Sequence, residues 1–377
     1  MDKLQTALTE VDPKEKLRLL EEFREFVKED SEQLASLFPM TYTLIFEKVP
    51  EIRQWVVNFL ISVVRYSGEA HPDLLKLAAD TLLPLLNDTA VIVVKTVIQA
   101  SANLYPIVFK RMCTNPTEQD TWKSIVELKS KITAMLESKN DGIKINVIKF
   151  MHVVLTVQSV DSREKKSSNT QEISLDICPS SHPFLNKQQL EEEGLSHLNT
   201  FISLLFSPSM SSGAITAIIN CLALLMRSRP EFIPRVVPAF ESWHRTPTGN
   251  LRSIQKRFVE RSIRNQLLGL MRSKLSSAYQ KYVIDALLAI GAKREVAHFQ
   301  ARMAKLQQQQ AAHESRQSSK RAHSSTSSSD KSGVAKKSRP APAATPSTSY
   351  KPAEYAKAKS EGLTIPQDIL FTPKITI

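Results

Sequence analysis

Glycine and cysteine are scarce in this 377-residue sequence, and each shortage argues against a class of protein. Nine scattered glycines form no Gly-rich phosphate loop, so a doubly wound nucleotide-binding enzyme is not expected. Three cysteines, Cys113, Cys178 and Cys221, form neither a CxxC pair nor an even framework, which suits a reducing compartment. The first residues lack the apolar run of a secretory signal, so we expect an intracellular protein.

Motifs that would indicate catalysis, a metal or another cofactor are also missing. The sequence contains no HExxH or GxSxG pattern. Cys221 and Arg227 have the Cys-x5-Arg spacing of a phosphatase loop, but the residues between them, LALLM, include no glycine to form a phosphate cradle. Cys178 and His182 lack a second ligand pair that would complete a metal site. We therefore expect a protein that is not an enzyme and needs no cofactor.

The positive charge of the chain is concentrated at its C-terminal end. The formal net charge is +12, of which residues 301–377 supply +8 from 13 basic and 5 acidic residues. That region is rich in Ser, Pro, Ala and Lys, a composition that cannot bury enough apolar surface to offset the entropy of ordering. We predict a folded region over residues 1–305 and a disordered basic tail over residues 306–377.

Prolines mark the starts of several helical segments. Asp12 and Pro13 pair a helix-capping residue with a proline at the first helical position. Pro50, Pro72 and Pro116 also precede segments with apolar residues at helical spacing. Almost no segment alternates as a strand would, so the folded region is predicted to be all-α.

An internal repeat narrows this prediction. Starting from the anchors Ile52, Val93 and Ile143, the positions four, five and eleven residues later are all aliphatic. The anchors are 41 and 50 residues apart, close to the roughly 40–47 residues of a HEAT or armadillo unit. The pattern predicts a HEAT/armadillo-like helical-repeat solenoid, an α-α superhelix; an irregular helical domain is the alternative.

Two segments depart from the repeat. Residues 158–188 form a long insertion, whose polar first half we expect to be loose and whose second half, ISLDICPSSHPF, is apolar enough to pack on a helix pair. Residues 194–226 contain no Asp, Glu, Lys or Arg. The polar stretch SPSMSSG divides that segment, so it predicts two buried helices and no membrane span.

A cluster of arginines follows the repeats. On a helical wheel four of them fall within about 80° of one another, opposite an apolar side that contains Phe258. This candidate basic ridge consists of Arg257, Arg261, Arg264 and Arg272. A solvated helix face is one interpretation of it, and a site for RNA phosphates or an acidic or phosphorylated peptide is the other.

Basic clusters in the tail resemble a bipartite nuclear import signal. Lys320 and Arg321 form the first cluster, and Lys336, Lys337 and Arg339 form the second. A generic solubilising tail is the alternative. We expect a nuclear protein.

Four segments in order resemble one family. They are NDTAVIVVKTVIQASANLY (87–105), NDGIKINVIKFMHVVL (140–155), EISLDICPSSHPF (172–184) and LEEEGLSHL (190–198). Together they resemble the N-terminal HEAT domain of symplekin, over roughly residues 10–300 of this chain. The IKF helix followed by the ISLD and HP insertion is the specific part, because generic HEAT proteins lack that pair.

The resemblance implies a non-catalytic scaffold of pre-mRNA cleavage and polyadenylation that binds the other subunits of that machinery. In the family, the solenoid holds a phosphatase of the RNA polymerase II C-terminal domain. Carried over to this sequence, the contact falls on the helix of residues 143–157, with Lys149, Lys144 and Asn146 as partner-binding residues. On a helical wheel Lys149 points about 165° away from the apolar side. An RNA- or phosphopeptide-binding solenoid acting through residues 252–274 is the alternative function.

Overall fold

The computed structural model describes residues 2–27, 31–67, 73–162, 173–245, 251–273 and 275–323. These residues contain α-helices and short 3-10 turns and no β-strand. The helices are α1 (Asp2–Thr9), α2 (Pro13–Val27), α3 (Ser31–Thr41), α4 (Pro50–Ser67), α5 (Asp73–Leu85), α6 (Val91–Thr114), α7 (Gln119–Ala134), α8 (Asp141–Val157), α9 (Lys187–Leu205), α10 (Ser212–Ser228), α11 (Ile233–Arg245), α12 (Ser253–Met271), α13 (Ser277–Ala289) and α14 (Lys293–His323).

From α4 onward the helices form two layers. Helices α4, α6, α8, α10 and α12 pack side by side in the first layer. In the second layer α5 packs on α7, α9 packs on α11, and α11 packs on α13. Each helix of the first layer also contacts its neighbour in the second, so the apolar faces of both layers share one core. The architecture is a HEAT/armadillo-like helical-repeat solenoid, as the sequence predicts.

The aliphatic repeat lies in the core of this stack. All twelve positions of the pattern are buried, and they fall at corresponding places in α4, α6 and α8. Residues four and eleven positions after an anchor lie within about 40° of it on a helix, so three positions of each repeat form one apolar side, and the position five residues on widens the buried arc.

The turns between repeats are held by buried ion pairs and side-chain caps. Arg53 of α4 donates two hydrogen bonds to the carboxylate of Asp88, Nε to Oδ2 at 2.6 Å and Nη2 to Oδ1 at 2.7 Å. Asp88 also accepts a hydrogen bond from the Ala90 amide at the start of α6. Such bidentate pairing fixes geometry as well as adding stability. The turn at residues 87–88 therefore links three consecutive helices.

Most of the predicted helix starts are where the prolines indicate. Helix α2 begins at Pro13, with the Asp12 carboxylate accepting from the Glu15 amide, and α4 begins at Pro50. Helix α7 begins at Gln119, three residues beyond Pro116, which lies in a turn.

The second half of the insertion packs against the solenoid. Leu175, Cys178 and Leu185 are buried, and the His182 imidazole lies 2.9 Å from the carbonyl oxygen of Met112 in the last turn of α6. The first half, residues 163–172, lies outside the described residues.

Helix α6 is long and apolar enough to span a membrane by length and composition. Most of its apolar window is buried in the solenoid, where α4 and α8 flank it. Its composition is therefore explained by its position in the core.

The chain separates into two compact units, residues 1–299 and 300–377. Helix α14 continues past the expected boundary at residue 305 and ends at His323, so the segment 306–323, which we expected to be disordered, is helical here. Residues 300–310 are exposed. The remainder of the expected disordered tail, residues 324–377, lies outside the described part of the chain.

Candidate protein-binding surface

The exposed face of α8 contains the main candidate residue, Lys149. The helix begins at an Asn140 cap, whose side-chain oxygen accepts from the Ile143 amide at 3.1 Å. From this start, Val147 and Phe150 turn into the core, and Lys149 is left half-buried on the outer face. Helices α6 and α10 pack against the two flanks of α8, so this exposed face is a narrow strip between them. We call it the Lys149 strip.

The two other candidates on α8 have different positions. Asn146 is 4% exposed; its side chain accepts a hydrogen bond from Gln99 of α6 at 2.9 Å and donates one to the Gly142 carbonyl at 2.7 Å. It therefore joins two helices and is not presented to a partner. Lys144 lies about 140° around the helix from Lys149, since successive residues are about 100° apart. A partner that contacts both lysines must therefore reach around α8, and binding through Lys144 stays a prediction.

Helix α10 borders the Lys149 strip and contains Cys221. Burial raises the pKa of the Cys221 thiol to about 12, and the nearby positive charge of Lys149 acts in the opposite direction. The thiol is therefore protonated at neutral pH and is not an activated nucleophile. This agrees with the interpretation of the Cys221 and Arg227 spacing as helical core.

A polar network connects α10 to α12 on the same layer. Arg227 donates from Nη2 to Oε1 of Gln266 at 2.9 Å, and Gln266 donates from Nε2 to Oδ1 of Asn220 at 2.8 Å. Gly269 makes room for this arrangement, because a Cβ atom there would lie 2.9 Å from Nη2 of Arg227. Sequence reasoning did not single out Asn220 or Gln266; two amides facing each other across neighbouring helices have no local signature.

The candidate basic ridge on α12 is smaller than expected. Arg257, Arg261 and Arg272 are exposed, but Arg264 donates from Nη2 to the Gly291 carbonyl at 3.0 Å and lies beside Glu295 of α14. Arg264 therefore joins α12 to the turn before α14, while its side chain stays 39% exposed, so a binding role for it stays a prediction.

The apolar side predicted for α12 also requires a correction. Val259, Ile263, Leu267 and Leu270 are buried as expected, but Phe258 is 58% exposed. The helix packs mainly on α10 and α13, so the buried arc of its wheel is narrower than the pattern suggested. RNA or acidic-peptide binding by the three exposed arginines stays a prediction.

The loop candidates for a metal serve structural roles. The Leu185 amide donates to Nδ1 of His182 at 3.0 Å, so the proton resides on Nε2, which donates to the Met112 carbonyl. Cys178 is buried against Cys113 of α6. Within the described residues, no group of three or more His, Cys, Asp or Glu side chains is arranged to hold a metal ion.

The candidate import signal falls mostly outside the described residues. Lys320 and Arg321 lie in the last turn of α14, and Lys336, Lys337 and Arg339 lie beyond the part of the chain that the structure describes. Import through these residues stays a prediction.

Comparison with known proteins agrees with the helical architecture and the specific motifs. A family model described as Symplekin/PTA1 N-terminal matches residues 90–325, which include α6 to α13, the insertion and the Lys149 strip. The chain belongs to the Symplekin/PTA1 N-terminal family. The sequence-based resemblance to symplekin is thus confirmed.

A curated relative is similar to this member of the Symplekin/PTA1 family. It is the mRNA cleavage and polyadenylation specificity factor complex subunit pta1 of Schizosaccharomyces pombe, 29% identical over 288 residues. The match includes 73% of this chain and 42% of the relative. The chain therefore spans less than half the length of the curated relative it matches.

Solved structures similar to this chain include repeat proteins. A designed armadillo repeat protein is 16% identical, with 77% of this chain and 99% of that chain covered and a TM-score of 0.38. Kap121p bound to Nup53p is 11% identical, with 77% and 33% covered and a TM-score of 0.30. Both TM-scores are low, so these likenesses support no functional conclusion.

Proposed function

We propose that this chain is a non-catalytic nuclear scaffold of mRNA 3′-end processing, and that the Lys149 strip binds a phosphatase of the RNA polymerase II C-terminal domain. The family assignment and the membership of the pta1 relative in the mRNA cleavage and polyadenylation specificity factor complex support a place in that machinery, with its other subunits as partners. Solenoids present long rigid faces, which suits assembly of several subunits.

The observation that carries the phosphatase contact is the position of Lys149. Among the described residues, its ammonium group forms no ion pair, and it stands half-buried between α6 and α10 on a helix fixed by an Asn140 cap. A cation on a rigid element gives directional binding when a partner supplies a carboxylate. Lys95 of α6 lies beside Gly142 of α8 and adds positive charge to the same face.

Charge reversal at Lys149 tests this contact. We expect the full chain to capture the purified phosphatase stoichiometrically, and Lys149→Glu to weaken capture by about 100-fold, because a buried interfacial charge pair becomes a repulsion. Isothermal titration of the two purified proteins measures the affinity. Thermal unfolding is expected to stay within a few degrees, since Lys149 points away from the core.

The matched control is Lys281→Glu. Lys281 is an exposed lysine of α13, in the other layer, so the change in net charge is the same while the Lys149 strip is intact. Full affinity in Lys149→Glu, or equal losses in both variants, would remove Lys149 from the contact. Absence of capture by the folded wild-type chain would refute phosphatase binding and leave the family assignment unchanged.

A further inference from the structure

The exposed side of α12 combines arginines with large apolar side chains. Arg257 and Arg261 are exposed and lie one helical turn apart, about 6 Å along the axis. On the same side, Phe258 is 58% exposed and Ile254 is 63% exposed. By the helical wheel these four side chains and the exposed Arg272 fall within an arc of about 100°. We call this set of five residues the α12 strip.

The arginines of the α12 strip lack the ion pairs that neutralise exposed charges on other helices of this chain. In α5, α7 and α11, exposed basic side chains pair with an acid four positions away, as in Lys76 with Asp80, Lys131 with Glu127, and Arg245 with Glu241. In the described part of the chain, the three arginines of the strip form no ion pair. Glu260 is the one acidic residue of α12, and it lies about 60° or more around the helix from each of them.

Both features of the strip are unfavourable for a helix that faces only water. The like charges of Arg257 and Arg261, at positions i and i+4, repel each other. Ile254 and Phe258 have the same spacing, so they form one apolar patch that gains none of the free energy of burial. Exposed helix faces normally carry polar residues at such positions. A continuous exposed apolar patch beside unpaired charges is typical of a binding surface.

A single strand of RNA matches this combination of groups. Its phosphates accept charge-assisted hydrogen bonds from arginine, and its planar bases stack on exposed aromatic rings and on guanidinium planes. An acidic peptide supplies charge for the arginines but no planar group for Phe258. Peptide helices also bury their apolar side in a groove, whereas Phe258 projects from a single helix.

We propose that the α12 strip binds single-stranded RNA, with Arg257, Arg261 and Arg272 contacting phosphates and Phe258 stacking on a base. From Ile254 to Arg272 the strip is about 27 Å long, enough for several nucleotides. It is distinct from the Lys149 strip, because α10 packs between α8 and α12. The proposal therefore goes beyond the scaffold function and does not require a bound phosphatase.

Fluorescence anisotropy with the full chain tests the site. The probe is a fluorescein-labelled oligouridine of about twelve nucleotides, which exceeds the length of the strip. Titrations at several salt concentrations give the affinity and the slope of log affinity against log salt. Three arginines that neutralise phosphates are expected to contribute about −2 to this slope.

Two variants separate charge from stacking. Arg257→Gln combined with Arg261→Gln is expected to make the slope shallower by about 1.4, because two phosphates keep their counter-ions. Phe258→Ala is expected to weaken binding about tenfold and to keep the slope, because it removes a stacking contact and no charge. All three positions are exposed, so the helix is expected to stay folded, which circular dichroism checks.

Matched controls change the same kinds of residue on other helices. Arg235→Gln combined with Lys281→Gln removes two exposed positive charges from α11 and α13. Tyr282→Ala removes an exposed aromatic ring from α13. Both controls are expected to bind oligouridine with the affinity and the slope of the wild type.

Three results would overturn the proposal. The first is no binding of oligouridine by the wild-type chain at low salt. The second is an unchanged slope in the double arginine variant or an unchanged affinity in Phe258→Ala, which would assign RNA binding to other basic residues, such as those of residues 301–377. The third is tighter binding of an oligoglutamate peptide with the same dependence on Phe258, which would make the strip a peptide site. None of these readouts involves the phosphatase, so failure here is distinct from failure of the proposed scaffold function.

Discussion

A buried arginine, Arg229, joins two helices and influences the protonation state of a neighbouring histidine. Arg229 is fully buried and donates to the Thr156 carbonyl at 3.1 Å and the Ser159 hydroxyl at 3.2 Å, which joins the end of α8 to the end of α10. Its charge lies near the His152 imidazole. A histidine in this position stays neutral, because a second positive charge in a dry site is unfavourable.

The neutral state of His152 predicts a pH dependence of stability. Burial, assisted by Arg229, lowers the pKa of His152 from its ordinary value of 6.5 to about 4. Between these two values the unfolded chain binds a proton that the folded chain does not, so the free energy of unfolding falls as the pH falls through this window. We expect His152 to account for about 1–3 kcal/mol of the loss between pH 7 and pH 4.

Urea unfolding at several pH values measures this contribution. His152→Gln, which does not titrate, is expected to show a shallower dependence than the wild type. His298→Gln, at an exposed position of α14, is the control and should keep the wild-type slope. Parallel curves for wild type and His152→Gln would contradict the assignment.

At the scale of elements, a few contacts attach the second half of the insertion to the solenoid. The carbonyl groups in the last turn of a helix lack intrahelical hydrogen-bond donors. The His182 imidazole supplies such a donor to the Met112 carbonyl at the end of α6. The apolar residues of ISLDICPSSHPF predict that this segment packs on a helix pair. They do not reveal that α6 is the helix, because the insertion lies far from α6 in sequence.

Removing the His182 contact is expected to release the insertion without unfolding the chain. In His182→Ala the Met112 carbonyl loses its partner, and we expect hydrogen exchange across residues 173–186 to accelerate by about tenfold. The global unfolding midpoint should change little. Ser180→Ala, an exposed position in the same loop, is the control. Unchanged exchange in His182→Ala would show that the buried Leu175 and Cys178 hold the segment alone.

At the scale of the whole molecule, the repeats in the described part of the chain pack mainly on their immediate neighbours. Helix α4 contacts α6, and α10 contacts α12, but the two ends share no described contact surface. In such a stack a local loss of stability spreads only as far as the neighbouring interfaces allow. A partner bound to the Lys149 strip therefore acts mainly on the central repeats.

Two tryptophan substitutions test this one-dimensional coupling. Trp243 is buried and donates from Nε1 to the Leu205 carbonyl at 2.9 Å, so Trp243→Phe should cost about 2–3 kcal/mol. Hydrogen-exchange protection should fall in α9 and α11 and stay unchanged in α4. Trp55→Phe is the matched variant at the other end and should show the reverse pattern. Equal loss across all helices in either variant would indicate one global cooperative unit.

The sequence by itself was enough to predict the helical class, the repeat and the family. The aliphatic positions that start from Ile52, Val93 and Ile143 predict which residues are buried, because the spacing of apolar residues follows the helical period. Pro13 and Pro50 predict helix starts for an equally local reason. The resemblance to the family rests on motifs such as NVIKF, whose residues are consecutive in the sequence and can be recognised without the structure.

Only the tertiary structure decided which polar residues share a surface. Arg264 donates a hydrogen bond to the Gly291 carbonyl, and Asn146 is buried on α8, where Gln99 of α6 bonds to it. Arg227 donates a hydrogen bond to Gln266 of another helix, a contact that the wheel of α10 does not predict. A helical wheel orders side chains around one axis, but contacts between helices depend on packing angle and register, which follow from the whole core.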